Sequence, residues 1–155
     1  MFVHIKRVTR NTHRGFTFIE VLAVLGIIAL ATVGVLALRD WATSNARIAE
    51  AKAQIATIQS GVQQWRPSNG VYTGVSVINL TTVASLPIAW SDGRGINPWG
   101  GDIEVYVDSA DATRYVIRFT NIRVAEEGAR LQRDFSAISQ SASFSSGTFV
   151  ATFQG

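Results

Sequence analysis

Apolar residues dominate the start of the chain and then give way to a regular alternation of apolar and polar positions. The first pattern is an apolar run of 23 residues, Phe16–Leu38, in which Glu20 is the only charged residue. A helix of this length is about 34 Å long, which matches the hydrocarbon core of a bilayer, roughly 30 Å. The run therefore predicts one helix that can span a membrane.

Residues 39–66 have the pattern of an amphipathic helix that continues the first one. Apolar residues recur at alternating spacings of three and four and form one face with a single polar member. This face consists of Trp41, Ser44, Ile48, Ala51, Ile55, Ile58, Val62 and Trp65. Pro67 ends the helix near Arg66, because a residue that precedes proline disfavours the helical region. We expect the whole face to pack against the rest of the chain.

Residues 67–155 predict a small head domain with an antiparallel sheet. Period-two alternation predicts strands at Ile103–Asp108, Tyr115–Phe119 and Thr148–Phe153. Ser109–Asp111 is typical of a hairpin connection between the first two strands. The predicted fold class is therefore α+β, with a long N-terminal α-helix, hydrophobic in its first half and amphipathic in its second, packed on a small antiparallel β-sheet head.

Three further segments complete the predicted head. Residues 74–86 are rich in Val, Thr and Ser and predict a short strand or an irregular connection, and residues 91–101 predict a glycine-rich loop. Residues 124–135 favour a helix anchored by Val124, Leu131 and Phe135. The charged residues of that helix predict a solvated face with ion pairs at helical spacing: Glu126, Glu127, Arg130, Arg133 and Asp134.

Positive charge is concentrated in residues 1–15, which we interpret as a leader peptide. This segment carries four basic residues and no acid, namely Lys6, Arg7, Arg10 and Arg14, whereas the whole chain has a net charge of +3. The sequence pI of about 9.8 therefore reflects the leader, and no basic patch in the body indicates binding of nucleic acid. A basic segment before an apolar run is expected to stay in the cytoplasm.

The residues that most catalytic and metal sites require are scarce. The chain has no cysteine, and both of its histidines, His4 and His13, lie in the leader. This excludes disulfides, thiol chemistry and zinc–thiolate sites, and it leaves the body without imidazole for a Ser-His-Asp triad or a histidine metal site. We therefore predict that the protein is not an enzyme and needs no cofactor or metal.

The residues around the start of the apolar run form a specific motif, RGFTFIEV at residues 14–21. It resembles the class III signal of type IV prepilins and pseudopilins, with a basic leader, then Gly15, a hydrophobic first mature residue, Phe16, and Glu20 at the fifth mature position. The resemblance implies that a prepilin peptidase of the inner membrane cleaves between Gly15 and Phe16 and N-methylates Phe16. It also implies that Glu20 pairs with the Phe16 amine of a neighbouring subunit during assembly.

Two motifs of the head extend the resemblance. NPWGG at Asn97–Gly101 and YTG at Tyr72–Gly74, together with the long leader, are similar to type IVB pilins, especially the conjugative thin-pilus class called the PilS family. Those pilins usually carry a disulfide in the C-terminal region, which this chain lacks. The resemblance implies a structural subunit of a pilus for adhesion, aggregation or conjugation.

The same resemblance implies partners and a location. The expected partners are the prepilin peptidase, other copies of the chain in a helical homopolymer, a pilus assembly ATPase, its membrane platform and a secretin. Before assembly the subunit is expected in the inner membrane, as a single pass with a cytoplasmic N-terminus, and after assembly in an extracellular pilus. The implied division is leader 1–15, membrane and filament-core helix 16–38, amphipathic half 39–66 and head 67–155.

Several alternatives stay open at this point. The motif is shared with pseudopilins of type II secretion systems, so the chain could belong to such a system. Ala29–Ala31 also fits the cleavage site of an ordinary secretory signal, and the apolar run alone would suit a single-pass anchor, including that of a periplasmic enzyme. In the glycine-rich loop, three side chains could offer oxygens to calcium: Asp92, Asn97 and Asp102.

Overall fold

The computed structural model describes residues 15–83 and 86–155, so the basic leader before Gly15 lies outside the described residues. The chain divides into two compact units, Met1–Asp40 and Trp41–Gly155. The described part of the first unit is the start of a helix, and the second unit contains the α+β head.

The first helix, α1, extends over Phe18–Trp65 and ends two residues before Pro67, as the sequence predicts. From Phe18 to Asp40 every residue is exposed, because the described part of this unit contains no other helix or strand. An 18-residue window of α1 near the N-terminus has a mean hydropathy of 2.8, so the helix is long and apolar enough to cross a membrane. Within the described part of the first unit, no other helix or strand covers the apolar residues of this half.

The second unit contains a five-stranded antiparallel sheet with the strand order β1-β2-β3-β5-β4. The strands are β1 (Gly95–Ile96), β2 (Asp102–Val107), β3 (Arg114–Phe119), β4 (Ser141–Ser145) and β5 (Thr148–Gln154). The β2–β3 hairpin pairs Val107 with Tyr115 and Ile103 with Phe119, in agreement with the alternation of apolar residues in both strands. The α+β class predicted from the sequence is confirmed.

One face of α1 and the inner face of the sheet share the hydrophobic core. The middle of the predicted stripe is fully buried: Ile48, Ala51, Ile55, Ile58 and Val62. The sheet contributes Ile103, Ile117, Phe119, Phe149 and Phe153 to the same cluster, and the helix α3 (Ala125–Ser136) contributes Leu131 and Phe135. These contacts confirm that the second half of α1 packs on the head.

The two ends of the predicted stripe behave differently from its middle. Trp65 is half-buried, and its ring lies 6.3 Å from that of Tyr72, centroid to centroid. Trp41 is 69% exposed, so the prediction that it packs on the head is wrong. The head contacts α1 at Asn45, whose side chain accepts a hydrogen bond of 2.6 Å from Arg130 of α3.

Residues 74–86 contain a helix rather than the predicted strand or irregular connection. This helix, α2, covers Val77–Val83. The Ser76 hydroxyl accepts a 3.3 Å hydrogen bond from the Asn79 N–H, which caps the first turn. Val77 and Leu80, three residues apart, are both buried, so the cap and the burial of one helical face outweigh the strand preference of the β-branched residues.

Two smaller features also differ from the predictions. Val124 is 41% exposed and precedes α3 instead of anchoring it. Strand β4 was not predicted, because its sequence, SASFS, lacks the β-branched residues that favour strands. It forms because Ala142 and Phe144 pack against the hydrophobic core, while β5 supplies backbone partners along its whole length.

Replacing Ile55 by alanine should destabilise the head strongly, because its side chain is fully buried between α1 and the sheet. A large-to-small change of this kind costs about 2–5 kcal/mol in unfolding free energy. The same change at Ile138, which is 67% exposed, is the matched control and should cost less than about 0.5 kcal/mol. Urea unfolding of the full chain in detergent, followed by tryptophan fluorescence, measures both; equal costs would contradict the described core.

The Tyr115 hydroxyl should make the head less stable in alkali. Burial raises the pKa of Tyr115 to about 12, with a smaller contribution from Tyr72, although a hydrogen bond with Gln59 acts in the opposite direction. A tyrosine in the unfolded chain ionises near pH 10, so its contribution is fully present below that pH and is lost as the pH rises toward 12.

The change in unfolding free energy between about pH 9 and about pH 11 should therefore be smaller for Tyr115→Phe than for the parent chain. The control is Tyr106→Phe, which removes the hydroxyl of a tyrosine that is 39% exposed and lies outside the core. Urea midpoints at both pH values provide the measurement. An unchanged pH dependence in Tyr115→Phe would show that this hydroxyl is not shielded from water.

Candidate functional site: the start of helix α1

The bond predicted for cleavage lies in an exposed, non-helical segment. Gly15, Phe16 and Thr17 precede α1 without regular secondary structure, and Phe16 is 85% exposed. A Cβ atom added to Gly15 would meet no other atom within 4 Å. A protease therefore has access to both sides of the Gly15–Phe16 bond. Arg14, the basic residue before it, lies outside the described residues.

Thr17 and Glu20 form a capping box at the first turn of α1. The Glu20 Oε2 atom accepts hydrogen bonds from the Thr17 N–H, at 2.7 Å, and from the Thr17 hydroxyl, at 2.9 Å. In return the Thr17 hydroxyl accepts a longer bond of 3.4 Å from the Glu20 N–H. This reciprocal arrangement satisfies backbone donors that a helix N-terminus leaves without partners.

The capping box leaves half of the Glu20 carboxylate available. In the part of the chain that the structure describes, Oε2 accepts both bonds from Thr17, and Oε1 accepts none. The carboxylate is therefore held in place at the helix start while one oxygen can still accept a donor from outside. Thr17 is a residue that the sequence reasoning missed, although the spacing T-x-x-E is a known sequence signature of this cap.

The third polar side chain of the apolar half also has an internal partner. The Thr32 hydroxyl donates a 2.8 Å hydrogen bond to the Ile28 carbonyl, one turn earlier. With Thr17 and Glu20 bonded to each other, each polar side chain from Phe16 to Leu38 has a bond inside the helix. Such internal pairing lowers the cost of placing the segment where no water is present.

In the head, the NPWGG motif is a structural clamp. Asn97 is 2% exposed, and its Oδ1 atom accepts hydrogen bonds from the backbone N–H groups of Trp99, at 2.9 Å, and Gly101, at 3.0 Å. Its amide group donates to the Thr120 carbonyl at 2.7 Å. Asn97 thus fixes the loop between β1 and β2 to the end of β3, and its oxygen already has two donors instead of facing a cation.

Of the five charged residues of α3, Glu126, Arg130 and Arg133 are exposed as predicted, whereas Glu127 and Asp134 are less solvated. Glu127 is only 4% exposed, and its carboxylate accepts a hydrogen bond from the Trp99 indole N–H, so its assignment to a solvated face is wrong. Asp134 forms a 2.6 Å ion pair with Lys52 of α1. These contacts connect α3 to the NPWGG loop and to α1. Within residues 15–83 and 86–155, no group of three or more His, Cys, Asp or Glu side chains could hold a metal ion.

Comparisons with known families agree with both parts of the chain. A family model described as the prokaryotic N-terminal methylation motif matches residues 10–36, which include Gly15, Phe16 and Glu20. A second model, described as bundlin, matches residues 40–149. No curated protein and no solved structure matches the chain.

The two matches together identify the class of protein. The bundlin model covers well over half of the chain, and bundlin is a type IV pilin family. A type IV pilin is a structural subunit of a pilus, so processing by prepilin peptidase and assembly with other pilin copies follow from membership, and this family is not known for enzymatic activity. This chain therefore belongs to the bundlin family of type IV pilins.

Proposed function

We propose that this pilin is a subunit of a type IVB-like pilus, similar to the conjugative thin pili of the PilS class, that serves adhesion, aggregation or conjugation. The observation that carries the proposal is the apolar half of α1, which is exposed on all sides and carries a single carboxylate at its start. Such a surface is stable only in lipid or among other helices. A subunit that moves from a membrane into a bundle of identical helices has both environments.

The precursor is held in the inner membrane by residues 16–38 as a single pass. The four basic residues of the leader 1–15 keep the N-terminus in the cytoplasm, according to the positive-inside rule. The amphipathic half, 39–66, and the head, 67–155, are then on the opposite side of the membrane. The exposed, non-helical Gly15–Phe16 segment supports cleavage and methylation by the prepilin peptidase on the cytoplasmic side.

Cleavage creates a new α-amine on Phe16, and Glu20 of a neighbouring copy is its partner. The capping box holds the carboxylate with Oε1 open, so the carboxylate can accept the amine of a neighbour and keep its bonds to Thr17. Among apolar helices little water screens this pair, so the attraction is stronger than at a surface. The pair then sets the stagger between adjacent helices of the filament.

Assembly further requires an ATPase, a membrane platform and a secretin, which supply energy and an exit path. The alternative is a pseudopilin of a type II secretion system, whose short filament drives export instead of reaching the cell surface. The match of residues 40–149 to bundlin favours a surface pilus. Electron microscopy distinguishes the two functions, because long surface filaments containing this chain support the pilus, whereas filaments confined to the cell envelope support the pseudopilus.

In cells that contain the prepilin peptidase, the mature chain should begin at N-methylated Phe16 and lack the 15 leader residues. Intact-mass spectrometry of the membrane fraction measures this terminus. Gly15→Val should accumulate precursor, because a branched side chain shields the scissile bond, and Gly26→Val, a matched change inside the helix, should still be cleaved. A mature chain that starts at Thr32, after Ala29–Ala31, would indicate an ordinary secretory signal and refute this proposal.

Glu20→Ala should be inserted and cleaved but should not form filaments. Without the carboxylate, the Phe16 amine of each neighbour is buried without a partner, which costs about 3–5 kcal/mol per subunit. The control is Glu50→Ala, since Glu50 is an exposed glutamate of the same helix outside the apolar run. Filaments sheared from the cells, compared with membrane-bound precursor and mature protein on immunoblots, provide the measurement.

Normal filament yield from Glu20→Ala would disprove the pairing role. If residues 16–38 were only a membrane anchor, Glu20→Ala would do no harm. Removal of an intramembrane carboxylate makes insertion easier, and an anchor needs no carboxylate for assembly. Thr17→Val separates the cap from the pair, because it removes the hydroxyl bond and keeps the carboxylate. It should reduce filament yield less than Glu20→Ala.

A further inference from the structure

Trp41 is an exposed aromatic residue that the fold of the head does not use. It belongs by periodicity to the same face of α1 as Ile48, yet it is 69% exposed whereas Ile48 is 3% exposed. The bond from Arg130 of α3 reaches α1 at Asn45, one helical turn after Trp41. A large indole ring therefore remains uncovered just before the head begins.

The sequence position of Trp41 indicates what can cover it. It follows the last residue of the apolar run, Leu38, by three residues, which is about 4.5 Å of helix rise. The headgroup region of a bilayer is about 5–8 Å thick on each side of the hydrocarbon core. Ile48 follows Leu38 by ten residues, or about 15 Å, and is beyond that region. Trp41, at the depth of the headgroup region, is thus exposed, whereas Ile48, beyond that region, is covered by the head.

The chemistry of the segment also fits a lipid–water boundary. Tryptophan is enriched at this boundary because its ring is apolar while its N–H donates a hydrogen bond to headgroups or water. Arg39 and Asp40 mark the end of the apolar run and are the first charged residues after Glu20. A cationic residue beside an aromatic one is the usual composition of an interfacial anchor.

We propose that Trp41 is an interfacial lipid anchor, with its indole ring among the phospholipid headgroups on the head side of the membrane that holds the unassembled subunit. The proposal rests on the membrane insertion proposed above. Trp41 would set the depth of the helix in the bilayer and resist extraction of the subunit until assembly. The competing explanation is that a second copy of the chain covers the Trp41 ring, and the experiment distinguishes this contact from a contact with lipid.

The test uses the full chain, reconstituted at high dilution in vesicles of phosphatidylethanolamine and phosphatidylglycerol. One set of vesicles contains lipids brominated near the headgroup, and another set contains lipids brominated near the chain ends. Bromine quenches tryptophan fluorescence on contact, so the shallow label should quench the parent chain more than the deep label. If the four tryptophans emit equally, the quenched part is at most about a quarter of the emission.

Trp41→Phe identifies the residue responsible, because removal of an exposed indole leaves the core of the head intact. The shallow quenching should disappear in Trp41→Phe and persist in the control Trp65→Phe, whose ring packs on Tyr72. Equal quenching in the parent chain and Trp41→Phe, or no shallow quenching in either, would overturn the proposal. Quenching of the parent by the deep label alone would also overturn it, since the ring would then lie in the hydrocarbon core.

Flotation of the same vesicles separates failure of the anchor from failure of membrane insertion. If the parent chain does not float with lipid, the membrane insertion under the proposed function is wrong, and the anchor with it. If the chain floats but Trp41 is not quenched, only the anchor is wrong. A ring that neither label quenches, together with recovery of the chain as a crosslinked dimer at the same dilution, would assign Trp41 to a contact between copies and overturn the lipid proposal.

Discussion

The first half of α1 has an apolar surface that water cannot stabilise, and most other features of this pilin depend on that constraint. Every residue from Phe18 to Asp40 is exposed, and within this range only Glu20, Arg39 and Asp40 are charged. Burial of apolar surface is favourable by about 25 cal/mol per Å², so this half of the helix needs lipid or other apolar helices. In a pilin, this half of the helix is covered by lipid before assembly and by the helices of other subunits in the filament.

The polar groups of this half follow the same constraint. Thr17 and Glu20 bond to each other, and the Thr32 hydroxyl bonds to the Ile28 carbonyl. The backbone and side chains thus require few partners from outside, as a helix in a water-free environment must. The open Glu20 oxygen is the exception, and under the proposed function the Phe16 amine of a neighbouring subunit supplies its donor.

The second half of α1 differs from the first, because the head of the same chain covers its apolar face. Ile55 and Ile58 pack against the sheet, while Lys52 pairs with Asp134 of α3. The NPWGG loop joins this arrangement through Asn97, which fixes β1, β2 and β3 together, and through Trp99, which bonds Glu127. The head is therefore held by one hydrophobic core and by a few buried polar contacts at the ends of strands.

Periodic patterns of apolar residues determined much of this structure from the sequence alone. The run Phe16–Leu38, the buried middle of the stripe, the β2–β3 hairpin, α3 and β5 were all predictable, since each pattern matches the period of one element. The resemblance around Gly15 and Glu20 indicated the protein class, which the bundlin match confirms. The cleavage, methylation and pairing of those residues stay predictions.

Only the tertiary structure decided features that depend on distant partners. Strand β4 has a serine-rich sequence and forms because β5 pairs with it. Helix α2 forms where Val77 and Leu80 are buried in the hydrophobic core. Glu127 resembles a surface residue in its helix, but it is buried and accepts a hydrogen bond from the Trp99 indole N–H, 28 positions away in the sequence. Trp41 and Ile48 share one periodic face, yet the head covers only Ile48, because periodicity defines a direction on a helix and not where its partner ends.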